Sequence, residues 1–381
     1  MAGFQLFARF IISLRFAVCR CVSPGAIAGR FRRSQAGVGG GFGFFLLQRQ
    51  NKNLFAALWN RFVGRRSASP TVGEAAKNPI LNINHRHTMQ KFTTVAAIKE
   101  AVGKARKEGK TIGLVPTMGA LHEGHLSLIR RAAQENDVVV VSLFVNPIQF
   151  NNKEDLEKYP RTVDADLKLI EGVEGTIYAL VPSVEEMYPE PVKEVYHFGP
   201  LEEVMEGPQR PGHFSGVAVV VRRLFDIAEP DRAYFGEKDY QQLAIIRNLI
   251  EQIKYPIEIV ACPIVRADDG LALSSRNMRL SPAARAIAPA IHETLEQAAE
   301  MAEYEEVDDV KEWVMSTLGS YNEVNADQCP DGLKFEPEYF EVVNARTLQP
   351  IETWDEAGDD GAVGCIAVWL DGVRLIDIVK F

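Results

Sequence analysis

Two imidazoles three positions apart, His122 and His125, lie in the run Thr111–Ala133 (TIGLVPTMGALHEGHLSLIRRAA) and have the types and spacing to do chemistry. Ile112–Val115 ahead of them is short and apolar, as a buried parallel strand is, and Pro116 and Gly119 turn the chain. Behind them Leu126, Leu128, Ile129 and Ala132 recur at helical spacing. The pair therefore shares one face of a helix's first turn, where free N–H groups and the positive dipole end favour phosphate. Gly119 and Gly124 carry no side chain, so a bulky anion can approach the backbone. A metal site fits less well. Metalloprotease helices use H-E-x-x-H, with i, i+4 spacing, and no Cys stands nearby.

Three further stretches offer complementary groups. Asn146, Pro147 and Gln149 follow an apolar strand, Val138–Val145, and their amides can both donate and accept. In isolation Asn-Pro is turn chemistry. Tyr234–Gln242 (YFGEKDYQQ) runs from a strand through Gly236 into a helix; Lys238 can neutralise phosphate, and Gln242 lies one turn further along the same face. Asp268–Asn277 (DDGLALSSRN) carries Ser274, Ser275 and Arg276, two hydroxyls and a guanidinium fork suited to pyrophosphate oxygens.

The elements that must position these groups alternate. Helices are expected at Thr94–Lys107, after His125, and at Asp164–Glu171, Val217–Ile227 and Asp239–Lys254. Strands are expected at Ile112–Val115, Val138–Val145, Thr176–Val181, Arg232–Phe235 and Ile257–Ala261. This pattern specifies an α/β fold, a Rossmann-like parallel sheet covered by helices, with ligands at the carboxyl ends of the strands. After residue 268 helices (Pro282–Tyr304, Val307–Leu318) precede β-like segments (Tyr339–Val343, Ala362–Leu370, Val373–Val379), a smaller C-terminal α+β domain. Asn322–Pro337 reads as a loop.

The H-x-G-H pattern after a strand is similar to the first signature of the nucleotidyltransferase superfamily, whose members attack the α-phosphate of ATP. Ser274–Arg276 resembles its second, K-M-S-K-S-type loop. More closely, VPTMGALHEGH, VVVSLFVNPIQF, YPRT, RPGHFSGVA, YFGEKDYQQLAIIR and DGLALSSRN together, in order over Phe92–Val379, resemble the pantothenate synthetase (pantoate–β-alanine ligase) family. The resemblance implies two half-reactions, formation of a pantoyl-adenylate with release of pyrophosphate and then its aminolysis by β-alanine with release of AMP. It puts His122 and His125 on the triphosphate, with His125 as proton donor, and Lys238 at the α-phosphate. Ser274, Ser275 and Arg276 then fall on pyrophosphate; Met118, Gly119, Gly236, Asp239, Val265 and Leu273 line the ATP pocket; Gln149 and Gln242, supported by Asn146, take pantoate. ATP is expected as substrate with Mg²⁺, for which Asp166 is the one protein-side candidate. Arg210–His213 is expected to shape the site. A homodimer is also implied, with the C-terminal domain as lid. Rival readings are an adenylyltransferase that stops at the adenylated product, and a catalytically silent binding module of the same fold.

The net charge of −9 hides an asymmetry. Of 42 Lys and Arg, 11 fall in residues 1–73 against none of the 51 acids, so the remainder carries −20. An acidic body argues against a nucleic-acid partner, and against a fragment of an aminoacyl-tRNA synthetase. No apolar run is long enough to span a membrane. The five cysteines lack framework spacing, which suggests a reducing compartment. The organisation expected is a basic, acid-free leader (1–73), a transit peptide or an untranslated stretch; a linker (74–90); a nucleotide- and pantoate-binding domain (91–267); and a lid domain (268–381). The core is then cytosolic, or in the mitochondrial matrix if the leader is translated and functional.

Overall fold

A computed structural model describes residues 88–325, 329 and 332–381, all within one compact unit, Asn82–Phe381. The readings made on residues 1–73 lie outside the described residues.

Six strands form an all-parallel sheet: β1 (Thr88–Phe92), β2 (Ile112–Thr117), β3 (Val138–Leu143), β4 (Thr176–Leu180), β5 (Arg232–Gly236) and β6 (Glu258–Cys262), in the order β1-β4-β3-β2-β5-β6. β3, with sequence VVVVSL, is buried along its whole length, as a strand covered on both faces must be. Helices α1 (Val95–Lys107), α2 (Glu123–Glu135), α3 (Lys153–Lys158), α4 (Val163–Glu171), α5 (His213–Ala228) and α6 (Tyr240–Ile253) connect and flank the strands. Ile98 and Val102 of α1, Phe214 to Ala228 of α5 and Leu243 to Leu249 of α6 close one face of the sheet. Leu126, Leu128, Ile129 and Ala132 of α2, with Ile170 of α4, close the other.

The sheet departs from the expected pattern at two places. β1 lies across the boundary placed at residue 90 and adds an edge strand on β4, Thr88 opposite Thr176. β2 runs on through Pro116 to Thr117, where the sequence points to a turn. Pro116 is tolerated because β2 pairs with β5 only at Gly113 and Leu114, so beyond them the missing N–H deprives that ladder of nothing. The same splaying opens a crevice between β2 and β5.

Beyond β6 come Pro282–Ile287, α7 (Ala290–Met301) and α8 (Val307–Gly319), then an antiparallel sheet of β7 (Phe335–Asn344), β8 (Ala362–Leu370) and β9 (Val373–Lys380). The single helix expected over Pro282–Tyr304 is two, broken at Pro289, which cannot donate to the preceding turn. The stretch Asn322–Pro337, expected as a loop, holds part of a helical turn, Tyr321–Val324, and the start of β7. α7 and α8 pack on the small sheet through Ile291, Leu295, Val310, Val314 and Leu318.

Candidate active site

The carboxyl ends of β2, β3, β5 and the chain after β6 converge on a cavity of about 220 Å³. In chain order the strands run from β2 through β3 to β4 in one direction, and through β5 to β6 in the other. The cavity thus sits at the switch point, where loops leave the two central strands in opposite directions. Met118, His122, His125, Asn146, Gln149, Gly236, Lys238, Asp239, Gln242, Val265 and Leu273–Arg276 all line it. Segments up to about 160 residues apart in sequence meet there.

His122 is the N-cap of α2, and its ring lies over Gly124, where an added Cβ would come within 2.9 Å of Nδ1 and Cε1. Its buried Nδ1 has no hydrogen-bond partner among the described residues. The His122 N–H donates to His125 Nδ1 (3.4 Å), which places the His125 proton on Nε2 and leaves that nitrogen as a donor. Ring centroids are 4.0 Å apart. Burial, then the nearby Lys238 charge, pushes His122 down to about 4. Burial, then His122 and Lys238, pushes His125 down to about 3. Both rings are neutral at neutral pH. His125 then offers its Nε2 proton as a neutral hydrogen-bond donor.

Asn146 is buried and fully engaged. Its Nδ2 donates to Gln149 Oε1 and to the Gly216 carbonyl (both 3.1 Å), and its Oδ1 accepts from Tyr188 OH (2.9 Å). It therefore orients Gln149, whose Nε2 also reaches Met118 Sδ at 3.2 Å. Gly216 permits this packing of α5, since a Cβ there would sit 2.7 Å from Gln149 Cα and from the Ile148 carbonyl. His213, at the start of α5, holds the Gln149 carbonyl through Nδ1 (2.9 Å), and burial pushes it down to about 4. The Arg210–His213 segment shapes the site in this way. Val217, Val220, Val221 and Leu224 of α5 add an apolar wall that the motifs do not assign.

Lys238 enters from the turn after β5, 3.9 Å from Asp239. Ser274–Arg276 ends a small hairpin in which Leu273 N–H donates to the Val265 carbonyl (3.0 Å) and Ala267 N–H to the Leu271 carbonyl (2.9 Å). The hairpin is tied to β9 by Arg266, bidentate on buried Asp377 at 2.6 and 2.9 Å. Tyr159 OH shares a hydrogen bond with Ser275 Oγ (3.2 Å), a contact that the YPRT motif alone does not assign.

Two expected site residues do other work. Asp166 does not line the cavity. Its carboxylate accepts from the N–H groups of Ala120 (3.0 Å) and Leu121 (2.8 Å) and from Thr162 Oγ1 (3.1 Å), and Ala120 has φ +49°. Its oxygens clamp a strained turn and are not available to Mg²⁺. Gly119 lies inside that turn, its N–H on Thr117 Oγ1 (3.2 Å), and does not line the cavity.

A second cavity of about 380 Å³ adjoins the first, sharing Lys238, Asp239, Gln242, Ser274 and Arg276 with it. It lies between α6, the turn Glu206–Gln209 and the small sheet. Arg374 of β9 grips Glu206 at 2.7 and 2.8 Å and Glu338 at 2.6 Å, while Tyr339 OH donates to Glu206 (2.7 Å). Burial raises the Glu206 pKa, but the Arg374 hydrogen bonds and charge outweigh it and leave the carboxyl below its ordinary range. Gln241 carries this turn, accepting from Glu206 N–H (3.0 Å) and donating to the Leu201 and Val204 carbonyls (2.8 Å each).

An open parallel sheet, with anion-directed donors and a hydroxyl–guanidinium hairpin at its switch point, defines a nucleotide-binding α/β enzyme. The chain belongs to the pantoate-beta-alanine ligase family, whose sequence pattern matches residues 90–380. It is 51% identical over 294 residues to the pantothenate synthetase of Porphyromonas gingivalis, covering 77% of this chain and 99% of that one. The crystal structure of pantothenate synthetase from Thermus thermophilus is similar at 41% identity and TM-score 0.68, over 77% and 99% of the two chains. A second similar structure is the pantoate-beta-alanine ligase of Francisella tularensis, complexed with beta-gamma ATP and beta-alanine, at 32% identity and TM-score 0.61, over 77% and 98%. These bacterial relatives have no counterpart of the basic leader, so the mitochondrial reading finds no support in them.

Proposed function

We propose that this pocket joins pantoate to β-alanine at the expense of ATP. One pantoate carboxylate oxygen attacks the α-phosphorus, the bond to the β-phosphate oxygen breaks, and pyrophosphate leaves. The β-alanine amine then attacks the acyl carbon of the pantoyl-adenylate, AMP leaves, and the amine loses a proton. The observation that carries this reading is the meeting of two donor sets in one cavity. His122, His125, Lys238, Ser274, Ser275 and Arg276 suit the phosphates, and the amides of Gln149 and Gln242, beside the apolar wall of α5, suit a hydroxylated, methyl-bearing acid.

Attack of one anion on another is slow unless charge on the α-phosphate is stabilised as it develops. Donors fixed before the reaction do this without reorganising. The neutral His125 Nε2–H is such a group, and the His122 ring packs beside it. Among the described residues no cluster of three His, Cys, Asp or Glu side chains could cage a metal. Mg²⁺ would enter as part of the substrate, Mg-ATP, and would neutralise phosphate charge there. The hairpin tie between Arg266 and Asp377 supports a lid role for residues 268–381, because moving the small sheet moves Ser274–Arg276. Synthesis that survives truncation near residue 270 would exclude it. The homodimer implied by the resemblance is checked by sedimentation, where a monomer mass would exclude it.

The central test is AMP release by the full chain with Mg-ATP, pantoate and β-alanine, beside Gln149→Ala. Release that requires both organic substrates and falls at least tenfold in the variant is expected. Pyrophosphate release indifferent to β-alanine would favour the adenylyltransferase reading.

A further inference from the structure

The helix α3 faces the Ser274–Arg276 hairpin across the mouth shared by the two cavities. It is anchored at both ends. Asn152 Oδ1 accepts from Glu154 N–H (2.8 Å) at its start, and at its finish the Tyr159 ring packs on Phe150, with centroids 5.7 Å apart, while its hydroxyl meets Ser275. Between these anchors Asp155 presents each of its oxygens to a different guanidinium: Oδ2 to Arg276 Nη2 (3.1 Å) and Oδ1 to Arg279 Nη1 (3.2 Å). About a quarter of the Asp155 and Arg276 side chains is exposed, so the pair is neither deeply buried nor freely solvated.

We infer that Asp155 is a built-in counter-anion: it holds Arg276 and competes with pyrophosphate for it, weakening retention of that product. This rests on the proposed assignment of Arg276 to pyrophosphate. An aspartate carboxylate and a phosphate oxygen are alike to a guanidinium, since both accept its planar fork. A pyrophosphate drawn to Arg276 must therefore take over donors from Asp155 or share them, and it brings like charge to within a few ångströms of the carboxylate. Two arginines facing one carboxylate keep the mouth cationic enough to receive the triphosphate. ATP retains its adenosine contacts when Asp155 reclaims Arg276. Free pyrophosphate has only the phosphate contacts, so the competition weighs most on the leaving product.

A carboxylate whose sole task was to hold the loop would give the opposite sign, because its loss would weaken both ligands. The test is inhibition of the full chain by inorganic pyrophosphate, competitive with Mg-ATP, in Asp155→Asn, Asp155→Glu, Glu154→Gln and Arg276→Ala, with the thermal midpoint of each read alongside. Asp155→Asn should tighten pyrophosphate inhibition about twofold to fivefold, the size expected when a partly exposed ion pair no longer competes. The KM for ATP should shift the same way and kcat should fall as release slows. Asp155→Glu should stay near the parent. Glu154→Gln, on the same helix and paired with Lys158 instead, should change nothing. Unchanged or weaker pyrophosphate inhibition in Asp155→Asn, with Arg276→Ala still weakening it, would overturn the inference and leave the site assignment standing. No effect of Arg276→Ala would overturn both.

Discussion

The two adjoining cavities are built on opposite principles. In the smaller one, the histidine pair is fixed but left open: His122 Nδ1 has no partner among the described residues, and His125, its Nδ1 engaged by the His122 N–H, carries its proton on Nε2. In the larger one, charges answer each other. Glu206 and Glu338 close on Arg374, and Asp377 closes on Arg266. A buried polar group without a partner costs about 1–3 kcal/mol, a cost that a ligand meeting it would offset. Chemistry is therefore expected where donors stay open, and architecture where they are paired. Arg276 belongs to both cavities and is paired by Asp155, the exchangeable kind of contact.

The sharpest way to break this contrast is to remove a paired charge. Glu206→Ala leaves Arg374 with Glu338 as its one carboxylate and should cost about 1.5–3 kcal/mol in urea unfolding, with a smaller effect on kcat/KM at a temperature where the fold survives. A large activity loss without destabilisation would make the larger cavity catalytic. Removing an open donor should do the reverse. His125→Ala should lower kcat/KM about 10²–10³-fold, as loss of one preorganised donor does, and leave the thermal midpoint nearly unchanged. Gly216→Ala probes how closely the smaller cavity is packed. Its Cβ would press on the backbone of Gln149 and should cost about 1–3 kcal/mol by overpacking, with a raised KM for pantoate.

The smallest effect is expected from pH varied above about 6.5, where both the folded and the unfolded rings are mainly neutral. His122, His125 and His213 are all held well below the ordinary histidine value of about 6.5, so the folded chain refuses protons that the unfolded chain accepts. Stability from this source is complete above about pH 6.5 and declines as pH falls toward about 4, by at most about 1.4 kcal/mol per pH unit for each ring. NMR should show the three rings untitrated between pH 5.5 and 8, a range chosen to lie about one unit or more above their folded values. A midpoint near 6.5 for His122 or His125 would mean that the smaller cavity is wetter than its geometry implies.

How much of this can be read from the sequence follows the range of the interactions involved. The His122–His125 turn, the strand before it and the helix after it are local, set by apolar spacing and by a glycine that the His122 ring requires. The parallel sheet and the small C-terminal domain follow from alternating patterns in the same way, and so do most of the groups that converge on the pocket. Tertiary structure alone decides the rest. Asp166 suggests a metal ligand because it is acidic and near a motif, yet the fold turns both its oxygens onto the amides of Ala120 and Leu121. Pro116 suggests a strand breaker, and only the parting of β2 from β5 shows why it is not one. Contacts such as Asp155 with Arg276, Arg266 with Asp377 and Glu206 with Arg374 span more than a hundred residues and follow no periodicity. Composition and spacing fix which groups a chain owns and which local turns present them. Whether a charged group is left open or answered depends on which distant partner the packed sheet brings within hydrogen-bonding reach, and no local pattern encodes that.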